Sequence, residues 1–275
     1  MKLAGKTLLV TGGGSGIGRL VALGAAERVA HVVLWDLHVA DGEAVRDEIR
    51  ANGGDARVYQ VDVSNRHQVA AVGKETGHVD VVVNNAGIVT GAPLDQLTDQ
   101  QIEATFNVNV LALYWVTRAF LPQMIAQGSG TVVTISSAAG LVGVSKQTDY
   151  SASKFAAFGF AESLRAEMRK YHTGVTSLVV CPYYISTGMF QGVKTKFPLL
   201  LPILKPELVA RKILDSIESG REVLIMPPFV RTLPVLRILP VKAFDAVMDF
   251  FGINQTMDNF VGRRKKTAQV QSNPH

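Results

Sequence analysis

The sequence predicts a doubly wound α/β fold: a parallel sheet of seven strands flanked by helices, with a C-terminal helical extension. Three observations carry this. Short runs rich in Val, Leu and Ile alternate with segments of helical period along most of the chain. The runs are apolar throughout rather than at every second residue, as in strands buried on both faces. A glycine-rich turn separates the first run from the first helical segment, where open α/β sheets receive a ligand.

The strands are expected at Thr7 to Thr11, His31 to Trp35, Arg57 to Val61, Val79 to Val83, Thr131 to Ile135, Val175 to Val180 and Glu222 to Met226. Between them, helical period runs over Ile17 to Val29, Gly42 to Asn52, Arg66 to Thr76, Thr98 to Gln127, Tyr150 to His172 and Pro206 to Ser219. Strand–helix alternation of this kind winds into one parallel sheet with helices on both faces. There is no internal repeat and no low-complexity linker. Residues 1–228 read as the dinucleotide-binding and catalytic domain, with an apolar lid at 188–206. Residues 229–275 read as a helical extension and a basic polar tail of the same domain.

The chain has 275 residues, 47% of them hydrophobic and 19% charged. That composition supplies a sizeable core and excludes a disordered chain. Part of the net charge of +5 falls in Arg263, Arg264, Lys265 and Lys266, near the end of the chain. A nucleic-acid site needs a basic stripe along a fold element; this run reads instead as a solvated tail, and no nucleic-acid partner is expected. The single cysteine, Cys181, reads as a buried thiol and fits a reducing compartment. No signal peptide fits before the first strand, and no apolar stretch reaches the length of a spanning helix. A cytoplasmic protein is therefore expected, with peripheral membrane contact as the minority reading.

Gly12, Gly16 and Gly18 stand at G-x-x-x-G-x-G spacing around Ser15 and Ile17. Glycines allow a tight turn and close backbone approach, and the following helix N-terminus favours a pyrophosphate. Three glycines alone are a weak signal; their place at the first strand–helix junction strengthens it. Asp36 follows the second strand, where a carboxylate bonds ribose hydroxyls and repels a 2′-phosphate. It favours NAD, although Arg19 and His38 nearby leave NADP open. Asp62-Val63 after the third strand and Asn84-Asn85-Ala86-Gly87 after the fourth add strand-end contacts. Asn84, Ala86 and Gly87 are the expected cofactor neighbours in the latter segment.

Tyr150 and Lys154 lie four apart at the start of a helical segment, so they share a face. An isolated pair of this kind is usually a surface coincidence. A nearby ammonium would stabilise the phenolate and lower a phenol pKa from about 10 toward neutrality. Ser137, at the end of the fifth strand, supplies a hydroxyl that can polarise a carbonyl beside the phenol. Asn107 and Asn109 place amides in an otherwise apolar helical stretch.

Taken together, Thr11 to Gly18, Asp62, Asn84 to Gly87, Ser137, Tyr150 and Lys154 resemble the short-chain dehydrogenase/reductase family, over about Lys6 to Met226. The resemblance implies a Rossmann-like fold and hydride transfer between an alcohol and a carbonyl. It makes Tyr150 the acid/base and gives Lys154 the nicotinamide ribose. Ser137 then orients the substrate oxygen, and Asn109, in its Val108-Asn109-Val110 setting, carries a proton-relay water. Pro182, Ile185 and Thr187 match positions that contact the nicotinamide carboxamide. Two departures stand out: Tyr183 replaces the glycine usual after Pro182, and Val29 stands where a glycine often precedes the second strand.

The segments around Met189, Phe190, Phe197 and Pro198 resemble the branch holding 17β-hydroxysteroid dehydrogenase type 11 and the retinal short-chain dehydrogenases, and fit soluble bacterial relatives acting on bulky ketones. That implies a lipophilic secondary alcohol, ketone, steroid or retinoid-like substrate. Members of that branch carry an N-terminal anchor that this sequence lacks, so their location is not transferred. The apolar helices around Asn109 and Phe158 look like the family's subunit interfaces, implying a homodimer or homotetramer. The alternative function is a catalytically silent dinucleotide-binding regulatory protein, against which the full set Ser137, Tyr150 and Lys154 argues. An extended-family epimerase would need a larger C-terminal domain.

Overall fold

A computed structural model describes residues 1–262; the basic run Arg263 to Lys266 and the polar tail lie outside the described residues. Seven parallel strands form one sheet in the order β3-β2-β1-β4-β5-β6-β7. They are β1 (Thr7–Thr11), β2 (His31–Asp36), β3 (Asp55–Gln60), β4 (Val81–Asn84), β5 (Gly130–Ile135), β6 (Val175–Pro182) and β7 (Val223–Met226). The order reverses between β1 and β4, and the crevice outside the carboxyl ends of strands at such a point is where these sheets bind ligands.

The helices are α1 (Gly16–Ala26), α2 (Val39–Ala51), α3 (Arg66–Thr76), α4 (Asp99–Phe106), α5 (Ala112–Gln127), α6 (Thr148–Lys170), α7 (Pro206–Ser219), α8 (Leu233–Leu236) and α9 (Val241–Phe250). Side chains alternate across the sheet and divide the core. Leu8, Val10, Val32 and Leu34 pack into one buried cluster with Ala22 of α1 and Ile213 of α7. Leu9, Val33, Trp35 and Val82 pack into the other with Val69 of α3 and Phe120 of α5.

The expected helix Thr98 to Gln127 is interrupted. Between α4 and α5 the chain makes a π-helical turn over Asn107–Leu111. Such turns gather at functional sites, and this one carries Asn109. Its apolar residues keep a helical spacing, so periodicity alone could not show it.

Val29 takes a left-handed conformation, with φ of 62°. It turns the chain from α1 into β2, its N–H donating to Ala26 and its carbonyl accepting from Gly5. An L-residue, β-branched above all, is strained there, which accounts for glycine being usual at this point. Val29 is exposed and loses little packing on truncation. Val29→Gly is therefore expected to stabilise the fold by about 1 kcal/mol, read as a raised urea midpoint at unchanged slope.

Among the described residues, no helix is long and apolar enough to cross a membrane. The extension folds as a 3-10 turn at Pro228–Thr232, then α8, α9 and a 3-10 turn at Ile253–Gln255. It lies against the domain: Val230, Leu233, Met248, Ile253 and Met257 are buried in the same cluster as β6 and α7.

Candidate active site

Two cavities meet at the carboxyl ends of β4, β5 and β6. The first and larger is a cleft lined by Gly12, Ser15, Gly16, Ile17, Asp36, Val63, Ala86, Gly87, Ile185 and Thr187, among others. The second is an apolar cavity walled by Val142, Val144, Leu201, Phe229, Leu233 and Met248, among others. Ser137, Tyr150, Tyr183 and Phe190 line both, so they stand at the junction.

The cleft is shaped by the glycine turn. Gly12 and Gly16 have φ of 63° and 56°, which an L side chain rarely adopts. A Cβ on Gly18 would run into the carbonyl of Gly12 and the amide of Asn85. Gly18 thus serves packing of α1 against the turn rather than lining the cleft. The turn is tied to β4 by its neighbours. The Thr11 hydroxyl accepts from the N–H groups of Asn85 and Ala86, and Asn85 Nδ2 donates to the carbonyls of Thr11 and Gly12.

Asp36 is buried, and its carboxylate is held by two main-chain donors, Gly14 N at 2.8 Å and His38 N at 2.9 Å. It lines the cleft in that fixed orientation. Asp62 and Asn84 do not line it. Asp62 Oδ1 accepts from the N–H and hydroxyl of Ser64. Asn84 is buried and donates to Thr117 on α5. The amide that works at this strand end is Asn85, which the sequence reading named only within its segment.

Asn109 is likewise absent from the cleft wall. Its Oδ1 accepts from Ile88 N, and its Nδ2 donates to Ile88 O and to Ser153 Oγ. Ser153 in turn donates to the carbonyl of Tyr150. The side-chain amide is thereby committed to holding the Ile88 loop and α6 in place. Both amide protons are committed, which leaves the second lone pair of Oδ1 as the place on that side chain for the expected water.

Lys154 is buried, with Nζ donating to the Ile135 carbonyl at 2.9 Å and lying 5.6 Å from the centre of the Tyr150 ring. Ser136 Oγ anchors the same turn of α6 by donating to Lys154 O. Burial brings the Lys154 amine down to about 8, so it is still mainly charged at neutral pH. Tyr150 departs from expectation. Burial pushes its phenol well above the ordinary value, Ser137 beside it pulls it down, and Tyr184 raises it further. Spacing reported the proximity of the ammonium but not the desolvation, and desolvation wins. The result is a phenol held protonated, ready to give its proton to an acceptor.

Ser137 Oγ accepts from Ala139 N at 3.1 Å and caps the short turn that follows β5. Cys181 is fully buried, and burial pushes its thiol up to about 12. It is a packing residue. Tyr183, in the place of the usual glycine, leaves β6 without disturbing it, since its N–H donates to Met226. Its ring packs edge-on to Tyr184 and forms part of the wall between the cavities.

The sequence matches the family model for short chain dehydrogenase over residues 6–197. The chain belongs to the short-chain dehydrogenase family. It is 44% identical to epidermal retinol dehydrogenase 2 of Mus musculus over 96% of this chain and 88% of that protein. It is 35% identical to 17-beta-hydroxysteroid dehydrogenase 13 of Rattus norvegicus over 96% of this chain and 88% of that protein. A short chain dehydrogenase/reductase from Burkholderia phymatum, solved in complex with NAD, aligns with a TM-score of 0.79 at 26% identity. The alignment covers 86% of this chain and 95% of that one. This short-chain dehydrogenase is thus an oxidoreductase of the alcohol dehydrogenase type, and its Rossmann-like sheet is that of the family.

Proposed function

We propose that this dehydrogenase interconverts a lipophilic secondary alcohol and its ketone or aldehyde, with a nicotinamide dinucleotide in the larger cleft and the substrate in the apolar cavity. The observation that carries this reading is the junction itself: Ser137 and Tyr150 stand side by side in the wall shared by the two spaces, with Tyr183 and Phe190 completing it. Retinol and 17-beta-hydroxysteroid dehydrogenases among the relatives support steroid-, retinoid- or aryl-alkyl-ketone-like substrates. The cavity walls agree, since closing Leu, Phe, Val and Met side chains over a substrate excludes water and favours apolar surface.

The cleft fits the dinucleotide. Its floor is a glycine turn that a Cβ would obstruct, and Ser15, Gly16 and Ile17 open the first turn of α1 onto it. Amides of a first helical turn lack intrahelical partners and suit a pyrophosphate. Asp36 would hold the adenosine ribose, Val63 and Ala86 would flank the base and ribose, and Ile185 and Thr187 would hold the nicotinamide end. When bound, the cofactor supplies or accepts the hydride. For reduction, Tyr150 donates its proton to the carbonyl oxygen while Ser137 hydrogen-bonds to the same oxygen. For oxidation, Tyr150 takes the hydroxyl proton back. Lys154 adds positive charge beside the phenolate so formed, and Asn109 holds the Ile88 loop and α6 in register.

Asp36 supports NAD over NADP. Asp36→Asn keeps an acceptor for Gly14 N while removing the charge that repels a 2′-phosphate. The wild type is expected to use NAD at least tenfold better than NADP, and Asp36→Asn to narrow that ratio about tenfold, in paired kcat/KM measurements. A wild type that already favours NADP contradicts the assignment. The reaction class is tested by following reduced-cofactor absorbance with a panel of lipophilic alcohols and ketones. Tight cofactor binding without turnover of any of them would favour a silent binding protein.

A further inference from the structure

Gln147 is the most buried polar side chain in the wall of the apolar cavity, 1% exposed. It sits at the N-terminus of α6, three residues before Tyr150, yet does not cap the helix with its side chain. Its Nε2 donates to the Tyr184 hydroxyl at 3.5 Å. Among the described residues, its Oε1 is buried and accepts from no group.

The polarity of this end of the cavity is set by a chain of hydroxyls. Thr256 Oγ1 gives its one proton to the Ile253 carbonyl, 2.8 Å away. A carbonyl can only accept. In the 2.8 Å contact between Tyr184 and Thr256, Tyr184 must therefore be the donor. Its proton spent, the Tyr184 oxygen is left to accept, and among the described residues the other neighbour bonded to it is Gln147 Nε2. The amide cannot turn over without placing two acceptors against each other. Oε1 is thus fixed as an unpaired acceptor in a wall that is otherwise almost wholly apolar. The Tyr183 hydroxyl, also in that wall, is buried without a hydrogen-bond partner among the described residues as well, but it can donate, whereas Gln147 Oε1 can only accept.

A buried amide carbonyl left unpaired is costly, and a site built around one discriminates against ligands that cannot satisfy it. We infer that the substrate of this cavity carries a hydrogen-bond donor, most simply a second hydroxyl, close to the reacting carbon, and that Gln147 Oε1 accepts from it. Gln147 and Tyr150 lie three residues apart at the start of α6 and both line the cavity, which puts the second hydroxyl on the same part of the substrate as the carbonyl. Among lipophilic alcohols and ketones, those bearing a second hydroxyl near the reacting carbon are then preferred over their one-oxygen analogues. This inference rests on the proposed use of the cavity for substrate.

The test uses β-acetonaphthone, its α-hydroxy derivative, the homologue bearing a β-hydroxyl, and the methyl ethers of both hydroxyketones. The ethers share the inductive effect of the oxygen and lack the proton. With the wild type, at least one hydroxyketone should exceed its ether in kcat/KM by about 10- to 100-fold, mainly through KM. Gln147→Leu should erase that difference and improve use of the parent ketone. Tyr184→Phe removes the acceptor that orients the amide, so Oε1 and Nε2 can exchange places; it should raise acceptance of the ethers. Wild type that does not separate either hydroxyketone from its ether overturns the inference, as does a preference that survives Gln147→Leu. Ligand binding to the cofactor complex, measured by calorimetry for the same compounds, is read in parallel. Turnover of none of the ketones would count against the proposed reaction, whereas equal binding of hydroxyketones and ethers would count against Gln147 alone.

Discussion

Tyr150→Phe is expected to lower kcat by about 10²- to 10⁴-fold, the usual contribution of a positioned general acid/base, with little change in cofactor affinity. The phenyl ring keeps the edge-on contact with Phe190, whose ring centre lies 5.7 Å away. What is lost is the proton facing Ser137. Because the phenol is buried, the substitution also removes a polar group from an apolar setting, so the variant should be at least as stable as the parent. Loss of turnover with retained stability and retained cofactor binding, followed by fluorescence titration, identifies a chemical role. Loss of folding would instead show a structural one.

Lys154→Met tests the partner in a different way. Turnover is expected to fall by at least about 10²-fold, since no cation then stands beside the phenolate. The pH dependence of stability carries the sharper signal. Burial lowers the amine from 10.5 to about 8 in the folded, cofactor-free protein. Between those values the unfolded chain binds the proton that the folded chain has released. Stability then rises with pH across that window. Below about 8 both states are protonated, and the penalty of burying the ammonium is fully present. The wild type should therefore gain on Lys154→Met by about 3 kcal/mol between pH 8 and pH 10.5, at 1.36 kcal/mol per unit. Denaturant titrations of both proteins across that range, in the absence of cofactor, measure the gain. A flat difference would mean that Lys154 is better solvated than its surroundings indicate.

The sheet was legible in the sequence because strands buried on both faces are written as unbroken Val, Leu and Ile runs. Each of the seven strands falls within two residues of its expected limits. The glycine turn was legible because few residue types tolerate positive φ. Residues whose role depends on facing were less so. Asn84 and Asn85 are adjacent, and successive residues of an extended chain point to opposite sides. Asn84 enters the core toward Thr117 while Asn85 bonds to the glycine turn. Composition alone cannot assign those faces. The extension read as helical, but helical period does not name the surface that an apolar face covers. Here Leu233, Met248 and Ile253 complete the cavity wall. Gln147 escaped notice because one polar residue at a helix start is ordinary until its burial and its neighbours are known.

The proposed reaction carries a hydride across the junction at Ser137 and Tyr150 between cofactor and a lipophilic carbonyl. The most direct measurement supplies the wild type with reduced cofactor carrying deuterium at the transferable position, together with apolar ketones and hydroxyketones, and analyses the product alcohols by mass spectrometry. One deuterium on the carbinol carbon is expected for each cofactor oxidised, and none with Tyr150→Phe on the same timescale. Cofactor bound tightly and returned unoxidised, with no label in any product, would contradict it.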